Sequence, residues 1–318
     1  MSFELHLAPM EGVVDFVLRD VLTGIGGIDQ CLTEFIRVTD KLHSAAVLYR
    51  YAPELKMGSR TRAGTKMFLQ FLGGQPGPMA ENCAHGAELG ALGIDLNFGC
   101  PAKTVNRHDG GASLLKTPER IYQIVSAVRK AVPLEVPVTA KMRLGFDDPS
   151  ACFENAKAVE AAGASWLTVH CRTKTDGYRP PAYWEWIPRI REQVRLPVVA
   201  NGEIWNVDHF WKCFEVTGCE KIMIGRGAVA RPFLFRDIKA SIAKQESALS
   251  GWSDTRSMIP PFFEACSLDK SPFFAQARTK QWLKALSLQN EEAKPLFEEL
   301  KVLTNPHEFR SRLEFLCS

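Results

Sequence analysis

Short apolar runs recur along the first three quarters of the chain and alternate with stretches of helical periodicity. The runs PVVA and KIMI are almost wholly apolar, which is typical of parallel strands buried on both faces. Ile121, Ile124, Val125 and Val128 keep the i, i+3, i+4 spacing of one helix face, and Pro118 stands at the start of that segment. The predicted strands are residues 4–7, 30–33, 67–71, 94–97, 136–142, 166–170, 197–200 and 221–224.

Eight strands that alternate with helices predict a (β/α)8 TIM barrel, with a doubly wound sheet as the alternative. The pattern changes after residue 244, because residues 245–254 are rich in Ser and predict a linker, and residues 255–318 show only helical patterns. We therefore predict an α/β fold: a TIM barrel over residues 1–244, followed by a small all-α domain over residues 255–318. Acidic and basic residues nearly balance in this second domain.

The composition is that of an ordinary globular protein, with 46% hydrophobic and 24% charged residues in 318. No apolar run approaches the roughly 20 residues that span a bilayer. The N-terminal segment lacks the features of a signal peptide, so we expect a cytoplasmic protein. The nine cysteines are scattered without a C-x-x-C pair, which argues against a disulfide framework and a structural zinc site. A net charge of +3 does not by itself indicate nucleic-acid binding.

Polar or conformationally special residues coincide with the ends of seven of the predicted strands. The carboxyl ends of TIM-barrel strands are where catalytic residues lie, so these positions predict a ring of ligands around one site. A single buried histidine, cysteine or glutamine has a purely structural explanation, but seven strand ends together do not. In chain order the residues are Pro9, Met10, Glu11, Gln70, Asn97, Cys100, Lys141, His170, Asn201, Gly202, Glu203, Gly225 and Arg226.

The segment from Gly225 to Ala230 matches the dinucleotide pattern G-x-G-x-x-A. It follows the last strand rather than the first, and no later strand supplies the acidic residue that such a site needs. We therefore interpret it as a phosphate site of the kind that TIM barrels place after strands 7 and 8. Backbone N–H groups at the start of a helix would meet the phosphate, and Arg226 would add a charge-assisted contact.

Six segments together resemble the tRNA-dihydrouridine synthase family, in order along the whole predicted barrel. They read APMEGV from residue 8, DLNFGCP from 95, KMR from 141, VHCRT from 169, ANGEI from 200 and MIGRGA from 223. The N-x-G-C-P segment is the most specific of them. Two further segments, KTVN from residue 103 and ARTKQW from 277, resemble the bacterial C-type subfamily, which acts on uridine 16 of the tRNA D-loop.

The resemblance implies a flavin barrel with a helical tRNA-binding domain, FMN as cofactor and NADPH as reductant. It implies that FMN is held by Pro9, Met10, Glu11, Gln70, Lys141, His170, Asn201, Gly202, Glu203, Gly225 and Arg226. Cys100 would donate a proton to C5 of the uracil, since a thiol of ordinary pKa is mostly protonated at neutral pH. The implied tRNA contacts are Arg37, Asn97, Tyr178, Arg278 and Lys280. Cys171 is a departure, because the family more often has glycine after the histidine.

Three other functions fit parts of the pattern. An FMN barrel acting on a free small molecule, such as a dihydroorotate-type dehydrogenase, would share the phosphate loop and Lys141. An aldolase would use Lys141 as a Schiff-base nucleophile. A non-catalytic barrel would bind RNA without oxidising NADPH. The helical tail and the NFGCP loop favour the synthase, and we expect a monomer.

Overall fold

The computed structural model describes residues 2–107, 109–245 and 250–318. Eight parallel strands close into a barrel in the order β1, β2, β4, β5, β6, β7, β8, β9, and β9 pairs back with β1. The strands are β1 (Glu4–Leu7), β2 (Gln30–Leu32), β3 (Ile36–Arg37), β4 (Lys66–Leu72), β5 (Ile94–Phe98), β6 (Val138–Gly145), β7 (Leu167–Thr173), β8 (Val198–Asn201) and β9 (Lys221–Ile224). The predicted TIM barrel is confirmed.

Helices connect the strands and cover the barrel. They are α1 (Phe16–Ile25), α2 (Ala45–Tyr51), α3 (Pro76–Glu88), α4 (Lys103–Asn106), α5 (Pro118–Ala131), α6 (Cys152–Ala161), α7 (Trp186–Arg191), α8 (Val207–Thr217), α9 (Arg226–Ala230) and α10 (Leu234–Ile242). Local sequence explains several of their starts. Pro76 and Pro118 occupy first helical positions, where the missing N–H costs nothing. The Asp15 carboxylate caps α1 by accepting a hydrogen bond from the Leu18 amide at 3.0 Å.

All eight predicted strands are present; two match the predicted bounds, and the ends of the others differ by at most three residues. The largest differences are at the carboxyl ends of β6, at Gly145 rather than residue 142, and of β7, at Thr173 rather than residue 170. The short strand β3 was not predicted, because two residues carry no readable periodicity. It pairs with the end of β4, outside the barrel closure.

Five helices follow the barrel: α11 (Trp252–Ser257), α12 (Ile259–Asp269), α13 (Pro272–Ser287), α14 (Ala293–Lys301) and α15 (Pro306–Cys317). Residues 246–249 of the predicted linker lie outside the described residues, and α11 begins three residues before the predicted boundary at 255. Within the described ranges, no helix combines the length and apolarity needed to cross a membrane.

These helices share one hydrophobic core with the barrel. α13 packs on α9, and α12 packs on α1. Trp282 is 2% exposed, and its indole Nε1 donates to the Val229 carbonyl at 3.0 Å. Its ring meets Phe262 edge to face at a centroid distance of 4.7 Å. Trp282 therefore belongs to the core that joins the helices to the barrel.

Arg278 on α13 joins the helices to the loop between β1 and α1. Its guanidinium donates to Asp15 Oδ2 at 3.1 Å, to the Gly12 carbonyl at 2.9 Å and to the Val13 carbonyl at 2.7 Å. Gln281, one turn further along, donates to the same Gly12 carbonyl at 2.9 Å. The loop held in this way is the continuation of Met10 and Glu11, so the C-terminal helices support one wall of the barrel mouth.

Candidate active site

A cavity of about 700 Å³ opens at the carboxyl ends of the barrel strands. This volume lies within the usual range for cofactor and small-molecule sites. All the predicted cofactor residues line the cavity, together with Cys100, Asn97 and Tyr178. Residues that are far apart in sequence meet here because parallel strands bring their carboxyl ends to one rim.

Lys141, on β6, is a buried lysine whose amine points into the barrel mouth. Its Nζ donates to Asn201 Oδ1 at 3.0 Å, and Asn201 Nδ2 donates to the Met223 carbonyl at 2.8 Å. Burial and, to a smaller extent, the nearby Arg143 charge lower the pKa of Lys141 to about 8. The amine is therefore mostly charged at neutral pH and loses its proton in mildly alkaline solution.

A chain of side-chain amides crosses the floor of the cavity. Asp95 accepts hydrogen bonds from Gln70 Nε2 at 2.7 Å and from Thr139 Oγ1 at 2.5 Å. Gln70 Oε1 accepts from Asn97 Nδ2 at 2.9 Å, and Asn97 Oδ1 accepts from the Gly99 amide at 2.9 Å. The chain thus runs from a buried carboxylate to the residue that precedes Cys100.

His170, on β7, is neutral in this site. Burial is the first cause of a pKa far below the ordinary value, and Arg143 and Lys141 add to it. Arg172 Nη1 lies 3.1 Å from His170 Nε2. An arginine can only donate, so Nε2 accepts and the ring proton is on Nδ1. The imidazole therefore offers an N–H donor rather than a second positive charge.

Two arginines and one glutamate form a charged group at the edge of the cavity. Arg172 is ion-paired with Glu203, and Arg226 Nη2 lies 3.7 Å from the same carboxylate. Trp205 Nε1 donates to the other carboxylate oxygen at 2.7 Å. The group retains one net positive charge, beside the start of α9. Its charge and position suit an anionic ligand.

Cys100 lies on the loop after β5 and is 8% exposed where it lines the cavity. The Cys100 carbonyl accepts hydrogen bonds from Asn106 Nδ2 at 2.9 Å and from the Ala112 amide at 3.1 Å, which fix the loop. Burial raises the pKa of its thiol, and the nearby Glu11 carboxylate acts in the same direction. Cys100 is therefore a protonated thiol at neutral pH, as a proton donor must be.

Two glycines are required by close approach at this rim. A Cβ on Gly227 would lie 1.9 Å from the Ile204 carbonyl oxygen, which no side chain can tolerate. Gly202 has a φ of 126°, and a Cβ there would lie 3.1 Å from the His170 ring. Glycine at these positions therefore lets the backbone of the rim pack closely against Ile204 and His170.

Three predicted tRNA residues lie outside the cavity. Arg37 is exposed on β3 and lines a neighbouring cleft of about 240 Å³. Arg278 is 8% exposed and is bonded to the β1–α1 loop. Lys280 donates to the Leu303 carbonyl within the C-terminal helices. Tyr178, by contrast, stands half-exposed at the rim, with the guanidinium carbons of Arg143 and Arg226 at 5.2 Å and 5.1 Å from its ring centre.

Sequence reasoning left Arg143 and Asp95 without a role, and it placed Arg172 with His170 at the phosphate or the substrate without separating the two. Arg143 lines the cavity and donates to the Gly99 carbonyl at 2.9 Å, which ties β6 to the Cys100 loop. Arg172 and Asp95 also belong to the site. A simple signal was available, because each of the three lies two residues from a predicted ligand on the same strand. Alternate residues of a strand share one face.

The described ranges contain no group of three or more His, Cys, Asp or Glu side chains placed to hold a metal ion. The polar groups of the cavity are instead amides, two buried arginines, a lysine, a neutral imidazole and a thiol. This donor set suits an organic ligand with carbonyl and phosphate groups.

Comparisons with known proteins give a consistent result. Residues 6–311 match the model of a protein family described as dihydrouridine synthase. The tRNA-dihydrouridine(16) synthase of Aquipseudomonas alcaligenes is 51% identical over 94% of this chain and 95% of its own length. The enzyme of that name from Shewanella oneidensis is 47% identical over 97% of this chain and 96% of its own.

Solved structures of similar shape share little sequence. Histamine dehydrogenase from Rhizobium sp. is 12% identical with a TM-score of 0.59, and the match covers 82% of this chain but only 49% of that protein. An old yellow enzyme homologue from Zymomonas mobilis is 13% identical with a TM-score of 0.54, covering 78% of this chain and 90% of its own. At this identity the likeness establishes the barrel fold alone.

Proposed function

The chain belongs to the dihydrouridine synthase family, and from that premise we propose that it reduces the C5=C6 bond of a uridine in the tRNA D-loop to dihydrouridine, with FMN as cofactor and NADPH as reductant. The names of the relatives at 44–51% identity support uridine 16 as the target. The matches cover nearly the whole chain, so the barrel and the helical region both resemble those of the relatives, which supports the same reaction.

The residues of the cavity fit FMN. The isoalloxazine ring needs hydrogen-bond donors for its carbonyl groups, and Gln70, Lys141 and His170 each supply one. The phosphate needs positive charge and backbone amides, and Arg226 stands beside the first amides of α9, which lack intrahelical partners. Gly202 and Gly227 let the loops that carry these groups pack closely at the rim. When bound, FMN supplies hydride transfer from NADPH to C6 of the uracil.

Lys141 holds the cofactor ring electrostatically. Its charged amine, fixed by Asn201, would stabilise the negative charge of the reduced ring. The neutral imidazole of His170 would add no further positive charge to those of Lys141 and Arg143. The charged group of Arg172, Arg226 and Glu203, which adjoins His170, would hold the phosphate end.

Cys100 supplies the proton that completes the reduction. Addition of hydride at C6 leaves negative charge on the pyrimidine, and the thiol proton then forms the new C5–H bond. Burial keeps this thiol protonated at neutral pH, so the donor is in the correct state before the base arrives. The single observation that carries the proposal is that this protonated thiol lines the same cavity as Lys141 and His170.

The target base must leave its stack to reach a cavity inside the barrel mouth, and loop bases are the least costly to extrude. Tyr178 is an exposed aromatic ring at the rim, placed to contact such a base or its neighbour. Arg37 lies beside the same mouth and would contact the RNA backbone. NADPH would use the same opening in a separate half-reaction.

The test is reconstitution with purified components. Protein purified with FMN should be yellow, NADPH should bleach it, and tRNA lacking dihydrouridine should reoxidise it while gaining dihydrouridine at position 16. A tRNA with cytidine at position 16 is the matched control. Bleaching without tRNA reduction, together with reduction of a free pyrimidine, would replace the synthase by a small-molecule oxidoreductase.

A further inference from the structure

The amide chain on the cavity floor has a fixed direction at one end. A backbone N–H can only donate, so the Gly99 amide requires that Asn97 present its oxygen to it. The Asn97 NH2 group then faces Gln70, and Gln70 must accept through Oε1. This leaves the NH2 group of Gln70 pointing toward Asp95, where it needs an acceptor.

Asp95 supplies that acceptor at the other end. Its side chain is 1% exposed, and its Oδ2 accepts from Gln70 Nε2 at 2.7 Å. Thr139 occupies the second carboxylate oxygen. Each hydrogen bond from Asp95 to Gly99 therefore has only one possible donor and one possible acceptor. Reversal of either amide would set two donors or two acceptors against each other, which is costly in a buried site.

We propose that Asp95 is a positioning residue that, together with the Gly99 amide at the other end of the chain, holds Gln70 and Asn97 so that they present N–H donors, and not carbonyl oxygens, to the ligand in the cavity. Each NH2 group uses one hydrogen within the chain and keeps one for the ligand. The inference rests on the proposed function, because the carbonyl oxygens of uracil and of flavin are the acceptors that such donors suit. Asp95 itself touches neither.

The role needs an acceptor and not a negative charge. Burial raises the pKa of Asp95, so a neutral group costs less than a charged one at this position. An asparagine could accept from Gln70 through its oxygen while its NH2 group donates to the Thr139 hydroxyl. Thr139 would then be the group that orients it. The proposal therefore predicts that Asp95→Asn preserves the chain only while Thr139 is present.

Three nearly isosteric variants of the full chain test this prediction: Asp95→Asn, Thr139→Val and the double variant. The first readout is the set of side-chain amide resonances of Gln70 and Asn97 in ¹⁵N-labelled protein without FMN or RNA. They can be assigned from the peaks that Gln70→Leu and Asn97→Leu remove. The second readout is kcat and KM for tRNA together with the Kd for FMN.

In each single variant the side-chain amide resonances of Gln70 and Asn97 should stay where they are in the parent. The kcat/KM should remain within about threefold of the parent value, as expected when the buried hydrogen bond to Gln70 is kept. The double variant should shift the resonances of both Gln70 and Asn97. Its kcat/KM should fall about 10- to 100-fold, as expected for donors left without an oriented partner. Asp95→Asn losing as much as the double variant would overturn the proposal, because charge would then be the requirement. A double variant with unchanged resonances would overturn it as well.

If the parent protein fails to reduce tRNA but the resonances behave as stated, the amide chain is supported and only the proposed function is wrong.

Discussion

Replacing Arg278 by alanine should loosen the loop between β1 and α1 without touching the cavity directly. The side chain is 8% exposed and donates to one carboxylate and two backbone carbonyls of that loop. Breaking a buried ion pair by removing one partner costs about 3–5 kcal/mol. Asp15 is only partly buried and can regain water, so we expect a loss near the lower end, about 3 kcal/mol, in the free energy of unfolding.

Lys280→Ala is the matched control. It removes the same charge from the same helix, but its amine donates to Leu303 within the C-terminal helices and not to the barrel. We expect a loss of about 1 kcal/mol or less for this variant. Urea unfolding of both variants, followed by circular dichroism and by flavin fluorescence, measures the difference. If Arg278→Ala unfolded with a free energy within about 0.5 kcal/mol of the parent, the side chain would not hold the loop, since surface substitutions stay within that range.

Three further predictions concern the site. Cys100→Ala should bind FMN and accept hydride from NADPH normally, while dihydrouridine formation falls about 10²–10⁴-fold; unchanged product formation would exclude the thiol as proton donor. The rate of FMN reduction should fall as pH rises through about 8, because Lys141 then loses its proton. Lys141→Gln should reduce FMN more slowly, at a rate that does not change over the same pH range. Arg226→Ala should weaken FMN binding about tenfold by titration if the side chain contacts the phosphate.

The order of strands and the ring of site residues could be predicted from sequence, because both depend on short-range patterns. Apolar runs of four or five residues mark buried parallel strands, and the chemically special residues follow them directly. Lys141 and His170 were found in this way, and both line the cavity. The two-residue strand β3 has no such pattern and was missed.

Side-chain partners could not be predicted, since they depend on how the strands are staggered around the barrel. Arg278 was assigned to RNA from the subfamily resemblance, and only the fold places its guanidinium against residues 12–15, more than 260 positions away in the chain. The partner of Asp95 could not be predicted for the same reason. Its partner Gln70 is on the neighbouring strand, and the register that sets them side by side is a property of the closed sheet.

The shared core of the barrel and the C-terminal helices limits how specificity for a different nucleotide could arise or be engineered. A helical region transplanted from another synthase would have to fit this barrel at the two places where Trp282 meets α9 and Arg278 meets the β1–α1 loop. A chimera should therefore fold only if residues 12–15 and 226–230 are exchanged together with the helices. Substitutions on exposed positions such as Arg37 carry no such requirement, so changes of target nucleotide are expected to accumulate on the surface while the junction stays fixed.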